Sequence, residues 1–189
     1  MKGFYAAVQL MNRAGDNGYF VEFVCLATSV VDALLRTGLV LKHQLASKTN
    51  DIPTQFVYQG DDDRIIAERA IYKQALENNV IPQDQFDQLE DLYARRNKVV
   101  HTYIISEITT DQVLQIAIEY QQIIDAINAQ IRKLEDEQIQ LGVGMTVAEN
   151  RSSSGLQTTD MSAVQWLVDE KHGNPNLAKN LKQPPGKNG

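Results

Sequence analysis

The stretch Thr109–Leu141, TTDQVLQIAIEYQQIIDAINAQIRKLEDEQIQL, decides the fold. Its residues Val113, Ala117, Tyr120, Ile124, Ile127, Ile131, Leu134 and Leu141 alternate steps of four and three, with Gln138 at one position where the pattern asks for an apolar side chain. Such steps return to one face of a helix of about 3.6 residues per turn. The segment therefore reads as a long helix with a seam suited to lengthwise packing, in a bundle or across a dimer. Thr109 and Gln112 fit a capping box, in which hydroxyl and side-chain amide each take up a backbone N–H that the helix leaves unpaired.

Working outward, three more helical patterns precede this one. Tyr19 to about Leu45 is the most apolar part of the chain, with Phe20, Phe23, Val24, Ala27, Val30, Val31, Leu34 and Leu35 on a helical stripe. Gly38 weakens that helix by about 1 kcal/mol relative to Ala and marks a kink or an early end. Residues 46–62, with Pro53 and Gly60, read as a loop. A second helix is expected to open on the acidic group Asp61–Asp63, where negative charge suits a helix N-terminus, and to run to about Asn78. Pro82 opens a third, with Asp84 in its first turn and Phe86, Leu89, Leu92, Tyr93 and Val100 on its apolar side.

These patterns, with no strand alternation, predict an all-α bundle of four helices over residues 18–141, the fourth being long. Residues 1–17 read as an N-terminal extension or short helix through Phe4, Val8 and Met11. Residues 142–189 read as a linker and a largely disordered tail, with a short helix expected at 162–171 around Trp166.

The net charge of −6 counts against indiscriminate nucleic-acid binding, although Arg95, Arg96 and Lys98 form a local basic cluster. The single cysteine, Cys25, falls in an apolar stretch and reads as a buried, inert thiol. No apolar run reaches the roughly 18 residues of a membrane span, and Phe4–Met11, short, interrupted by Gln9 and preceded by one lysine, does not read as a signal peptide. The expected address is the cytoplasm, without a membrane partner. One cysteine and three scattered histidines support no metal site, and no cofactor is indicated.

The third helix ends in Arg95-Arg96-Asn97-Lys98-Val99-Val100-His101-Thr102-Tyr103. Asn97 and His101, four apart, share a helix face, so the amide can orient the imidazole. Arg96 lies about 140° round the helix from His101, within reach of the same pocket if the helix loosens near Val99 and Val100. Chemically, the trio suits metal-free cleavage of a phosphodiester. A histidine can move a proton from a ribose hydroxyl near neutral pH, and a permanently charged guanidinium can stabilise the charge that grows on phosphate. Arg95 and Lys98 are candidate RNA contacts. On the first helix, Asp32 either pairs with Arg36 on a solvent-facing stripe or faces Arg96 across a cleft and positions it.

Arg96-Asn97-x-x-x-His101, near the end of the third helix of a four-helix pattern, resembles the HEPN superfamily. With Tyr103 it looks like the Arg-x-x-x-x-His-x-Tyr form of HEPN toxins paired with nucleotidyltransferase antitoxins. The resemblance covers residues 18–141 in architecture and eight positions in motif. It implies a metal-independent endoribonuclease in RNA-targeting defence or a toxin–antitoxin pair, with Arg96, Asn97 and His101 as its centre. It also implies a homodimer whose motifs face one another, RNA as substrate, an antitoxin or nucleotidyltransferase partner, and Tyr103 as the position that such a partner modifies. Two further readings stay open: a non-catalytic HEPN-like dimeric binding module, and an interaction protein assembled through the long seam.

Overall fold

The computed structural model describes residues 2–57 and 65–147, and among these every regular element is a helix. They are α1 (Lys2–Asp16), α2 (Phe20–Ser47), α3 (Thr54–Val57), α4 (Glu68–Glu77), α5 (Gln83–Thr102) and α6 (Thr110–Leu141). The all-α expectation holds; among the described residues six helices stand in place of four, and residues 145–147 are helical as well. The expected helix at 162–171, the disordered tail beyond 147, and Asp61–Asp63 lie outside the described residues.

The frame is the pair α2 and α6, packed along their lengths. They run parallel: Phe20 and Val113 line one cleft at their starts, and Gln44 meets Gln138 near their ends. Val24, Ala27, Val31, Leu35 and Leu41 from α2 face Tyr120, Ile123, Ile127 and Ile131 from α6, all buried. Removing this apolar surface from water is the main force holding the two together. In the opposite direction runs α5, so that Tyr103, just past its end, reaches the cleft at the start of α2. By length and composition α2 could cross a bilayer, but 56% of its most apolar window is buried inside this bundle.

Several expectations are corrected here. Residues 1–17, expected as an extension or short helix, hold the helix α1, which buries Ala6, Leu10, Met11 and Ala14 and packs against α2. The second predicted helix is α4, which opens at Glu68 after the non-helical Ile65–Ala67. The loop carries the short α3. Leu141, counted in the seam, is 59% exposed, while Ile116 and Ile123 join the buried face. Both halves of the capping box at Thr109 and Gln112 are present.

Gln138 breaks the apolar seam for a reason. Its Nε2 donates to Gln44 Oε1 (2.9 Å), and its Oε1 accepts the Thr146 N–H (3.2 Å). Gln44 Oε1 also accepts the Met145 N–H, and Gln44 Nε2 donates to the carbonyls of Asn50 and Asp51. A buried amide is stable only when so satisfied. The pair ties the ends of both long helices to residues 143–147, which were expected to be linker.

Gly38 neither ends nor interrupts α2. A Cβ there would stand 2.3 Å from Val80 Cγ1 and 2.9 Å from Ile131 Cδ1, so its lack of a side chain admits the α4–α5 turn and α6. Gly38→Ala should thus destabilise the protein by about 2 kcal/mol in urea unfolding, the overpacking cost exceeding the helix-propensity gain of about 1 kcal/mol. Equal or greater stability of the variant would contradict this packing.

Candidate active site

Arg96 sits on the core-facing stripe of α5. Leu89, Leu92 and Val99 are buried, and Arg96 lies four residues after Leu92 and three before Val99. Its side chain is only 15% exposed. A charge in that position needs a partner, since an unpaired buried ion is far more costly than a paired one. The partner is Glu68, in the first turn of α4, 20% exposed: Arg96 Nη2 donates to Glu68 Oε2. The other oxygen, Oε1, accepts the Tyr72 hydroxyl. Tyr72 follows Glu68 by one helical turn, as Ile71 does by three residues, so the ion pair and the apolar face of α4 share a stripe.

Two more aromatic rings complete the surroundings. The Arg96 guanidinium lies 4.9 Å from the centre of the Tyr93 ring, and that of Arg69 lies 5.7 Å from the same ring. Arg69 in turn pairs with Glu90. Tyr120 of α6 is fully buried beside Arg96 and Glu68, close enough to feel both charges. Its hydroxyl and Arg96 Nε are both buried without a well-formed hydrogen bond among the described residues, although the two side chains lie close enough to influence one another. Burial, then the Glu68 charge, pushes the Tyr72 and Tyr120 phenols well above their ordinary range, so both stay protonated. Burial works against the charged Arg96, but the Glu68 charge and hydrogen bond more than offset it and hold the guanidinium protonated.

The other motif residues are arranged differently. His101, in the last turn of α5, is exposed, and its side chain makes no hydrogen bond or ion pair among the described residues. Asn97 is half-buried, and no side-chain hydrogen bond joins it to the His101 imidazole among the described residues. Arg96 turns inward and His101 outward, as their separation round the helix dictates. Within one chain, the structure does not gather the three into a single pocket.

Asp32 is engaged by Arg36, whose Nε donates to it at 2.6 Å, and Arg36 Nη1 reaches the Gln55 carbonyl of α3. The geometry is that of the ion-pair reading; the acid beside Arg96 is Glu68. Arg95, expected as an RNA contact, spans α5 and α6: it donates from Nη1 and Nη2 to Glu119, the latter at 3.0 Å, and from Nη1 to Asp91 at 3.1 Å. Lys98 is exposed and borders a cleft of about 790 Å³ with Arg95, Thr102, Gln112 and Gln115. Tyr103 borders another, of about 430 Å³, with Tyr19, Glu22 and Thr110.

Cys25 is exposed, not buried as expected. Partial loss of water raises its thiol pKa, the nearby Arg96 charge lowers it and Glu22 raises it; the net effect is upward, which keeps the sulfur protonated. No group of three or more His, Cys, Asp or Glu side chains that could hold a metal ion occurs among the described residues.

The Arg95–Glu119 clamp gives a signed pH dependence. The Arg95 hydrogen bond, the largest influence, holds the Glu119 carboxyl below the usual glutamate range. A depressed acid contributes stability above its unfolded pKa of about 4.3 and loses it as pH falls through the folded value. Glu119→Gln should cost about 1 kcal/mol near neutral pH, the pair being partly exposed, and the difference from wild type should shrink below about pH 4. Urea midpoints measured across that range check this, and a pH-independent difference would contradict it.

Compared with known proteins, the chain matches no family model, no curated protein and no solved structure.

Proposed function

We propose that this chain is a HEPN-like, metal-independent endoribonuclease working in the cytoplasm, in RNA-targeting defence or in a toxin–antitoxin pair. The observation that carries the reading is a guanidinium kept charged inside the bundle, five residues before an exposed histidine at the open end of the same helix. Arg96 supplies fixed positive charge for a phosphate, where a half-buried setting strengthens the attraction. His101 takes the proton of a ribose 2′-hydroxyl. The oxygen attacks phosphorus, the bond to the 5′ oxygen breaks, and that oxygen leaves protonated by water or a second acid. The products are a 2′,3′-cyclic phosphate and a 5′-hydroxyl.

Because Arg96 and His101 point apart within one chain, the reading requires two copies, with the His101 end of one facing the Arg96 end of the other. Exposed apolar residues around His101 support such a contact: Val100, Tyr103, Ile104 and Ile105, of which Ile104 is 95% exposed. A nucleotidyltransferase antitoxin acting on the exposed Tyr103 belongs to the same proposal. The alternative is a non-catalytic HEPN-like dimeric binding module. The Glu68 carboxylate held against Arg96, and the lack of a side-chain hydrogen bond from Asn97 to His101, favour that one.

The test is cleavage of a mixed RNA in EDTA by wild type, Arg96→Ala and His101→Ala. The nuclease reading expects cyclic phosphate ends from wild type and a loss of about a hundredfold or more in each folded variant. No cleavage by clean wild-type protein, or equal cleavage by all three, would move the assignment to the binding module.

A further inference from the structure

The surroundings of Arg96 hold more donors than their occupant can serve. Arg96 Nη2 and the Tyr72 hydroxyl donate to the two oxygens of Glu68, one each. Arg96 Nε and the Tyr120 hydroxyl are buried close to one another without a well-formed hydrogen bond. Even where the guanidinium turns to the Tyr120 oxygen, the phenol proton has no acceptor among the described residues. Buried donors are rarely left unmet, and each that is left unmet is destabilising. A carboxylate brings two oxygens; a phosphate group brings three or four, arranged as a tetrahedron. The Tyr93 ring beneath the guanidinium leaves its hydrogen-bonding edge free for an anion while covering a face.

We infer that the Arg96 pocket is an oxyanion-binding site in which Glu68 is a built-in, displaceable occupant, so that a phosphate group enters by replacing its carboxylate. The inference deepens the nuclease reading and rests on it for the choice of phosphate as ligand. It adds a resting state in which the arginine is spoken for.

Glu68 is well placed to leave. It lies in the first turn of α4, whose N-cap residue, Ala67, offers no side-chain hydrogen bond. Uncapped first turns are where helices open most readily. The neighbouring tie from Arg69 to Glu90 is on the surface, with Arg69 60% exposed, and holds that turn only weakly. At 20% exposure, Glu68 needs a short movement to regain water, and the exchange of one anion for another leaves Arg96 paired throughout. Tyr72 and Tyr120, kept protonated by burial and by Glu68, remain donors for whichever anion is present.

The test follows the Arg96 Nε–H resonance by ¹H–¹⁵N NMR, assigned by its loss in Arg96→Lys. Full-length wild type and Glu68→Gln are titrated with inorganic phosphate, with chloride at equal ionic strength as control. A second arm uses a 2′-O-methyl oligoribonucleotide, which carries phosphodiesters but no attacking hydroxyl. The resonance is expected to shift saturably in both proteins, about tenfold more tightly in Glu68→Gln, because the variant no longer spends most of its time with the site filled. Tighter binding of the oligonucleotide than of phosphate assigns the site to a nucleic-acid backbone; the reverse assigns it to a free small anion. An unmoved resonance in both proteins, or equal affinity in both, overturns the inference. Should Glu68→Gln fail to fold, the wild-type titration decides alone: a saturable shift supports the site and a flat response removes it. Saturable phosphate binding without RNA cleavage would keep the pocket and discard the nuclease, whereas cleavage with an unmoved Arg96 would do the opposite.

Discussion

The parallel packing of α2 on α6 is the constraint from which the rest of this architecture follows. Two helices that start at the same end cannot be joined by a short turn, so the chain must return along the bundle between them. Because α4 runs the same way as both, it returns twice. After α2 the chain turns back along it over the described residues 48–57, reaching its mid-length where Arg36 meets the Gln55 carbonyl. The return to the start of α6 is α5, running opposite to its neighbours. The result gathers the start of α2, the start of α4, the end of α5 and the start of α6 at one end. The Gln44–Gln138 pair closes the other end and fixes the register, since sliding either helix by a residue would leave two buried amides unmet.

At the gathered end, a single arginine on a core-facing stripe shapes its neighbours. Arg96 needs an acid, an aromatic face and polar atoms in a place that would otherwise hold Leu or Ile. Glu68, Tyr93, Tyr72 and Tyr120 supply them from three helices. Replacing such a cluster with apolar side chains would often cost nothing in stability. A retained buried charge is therefore a reason to look for a ligand, and it is the common ground of the nuclease and binding-module readings.

The helices were largely legible from spacing alone, and the Thr109–Gln112 cap and the Pro82 start were legible from local chemistry. The candidate site was only half legible. Reading Val100 instead of Val99 as the last apolar position of the third helix turned its stripe by one residue, and this hid that Arg96 faces inward: Val99 is buried and Val100 is 42% exposed. Glu68 was not legible as a partner because it lies 28 residues away in sequence, and pairing at that distance depends on which helices become neighbours. Arg95 and Arg96, adjacent in sequence, have opposite roles, one clamping α5 to α6 and the other entering the core. Gln138 looked like a flaw in the seam because its partners, Gln44 and Thr146, come from another helix and from the segment after α6.

The central claim is that Arg96 and Glu68 form one coupled unit inside the bundle. A double-mutant cycle in urea with Glu68→Gln, Arg96→Met and the pair measures this most directly. The account predicts strong non-additivity, with a coupling energy of about 2 kcal/mol and a double variant more stable than either single one, because each single change strands a polar or charged group. Losses that simply add would contradict it, and would mean that Arg96 and Glu68 are held in place independently of each other.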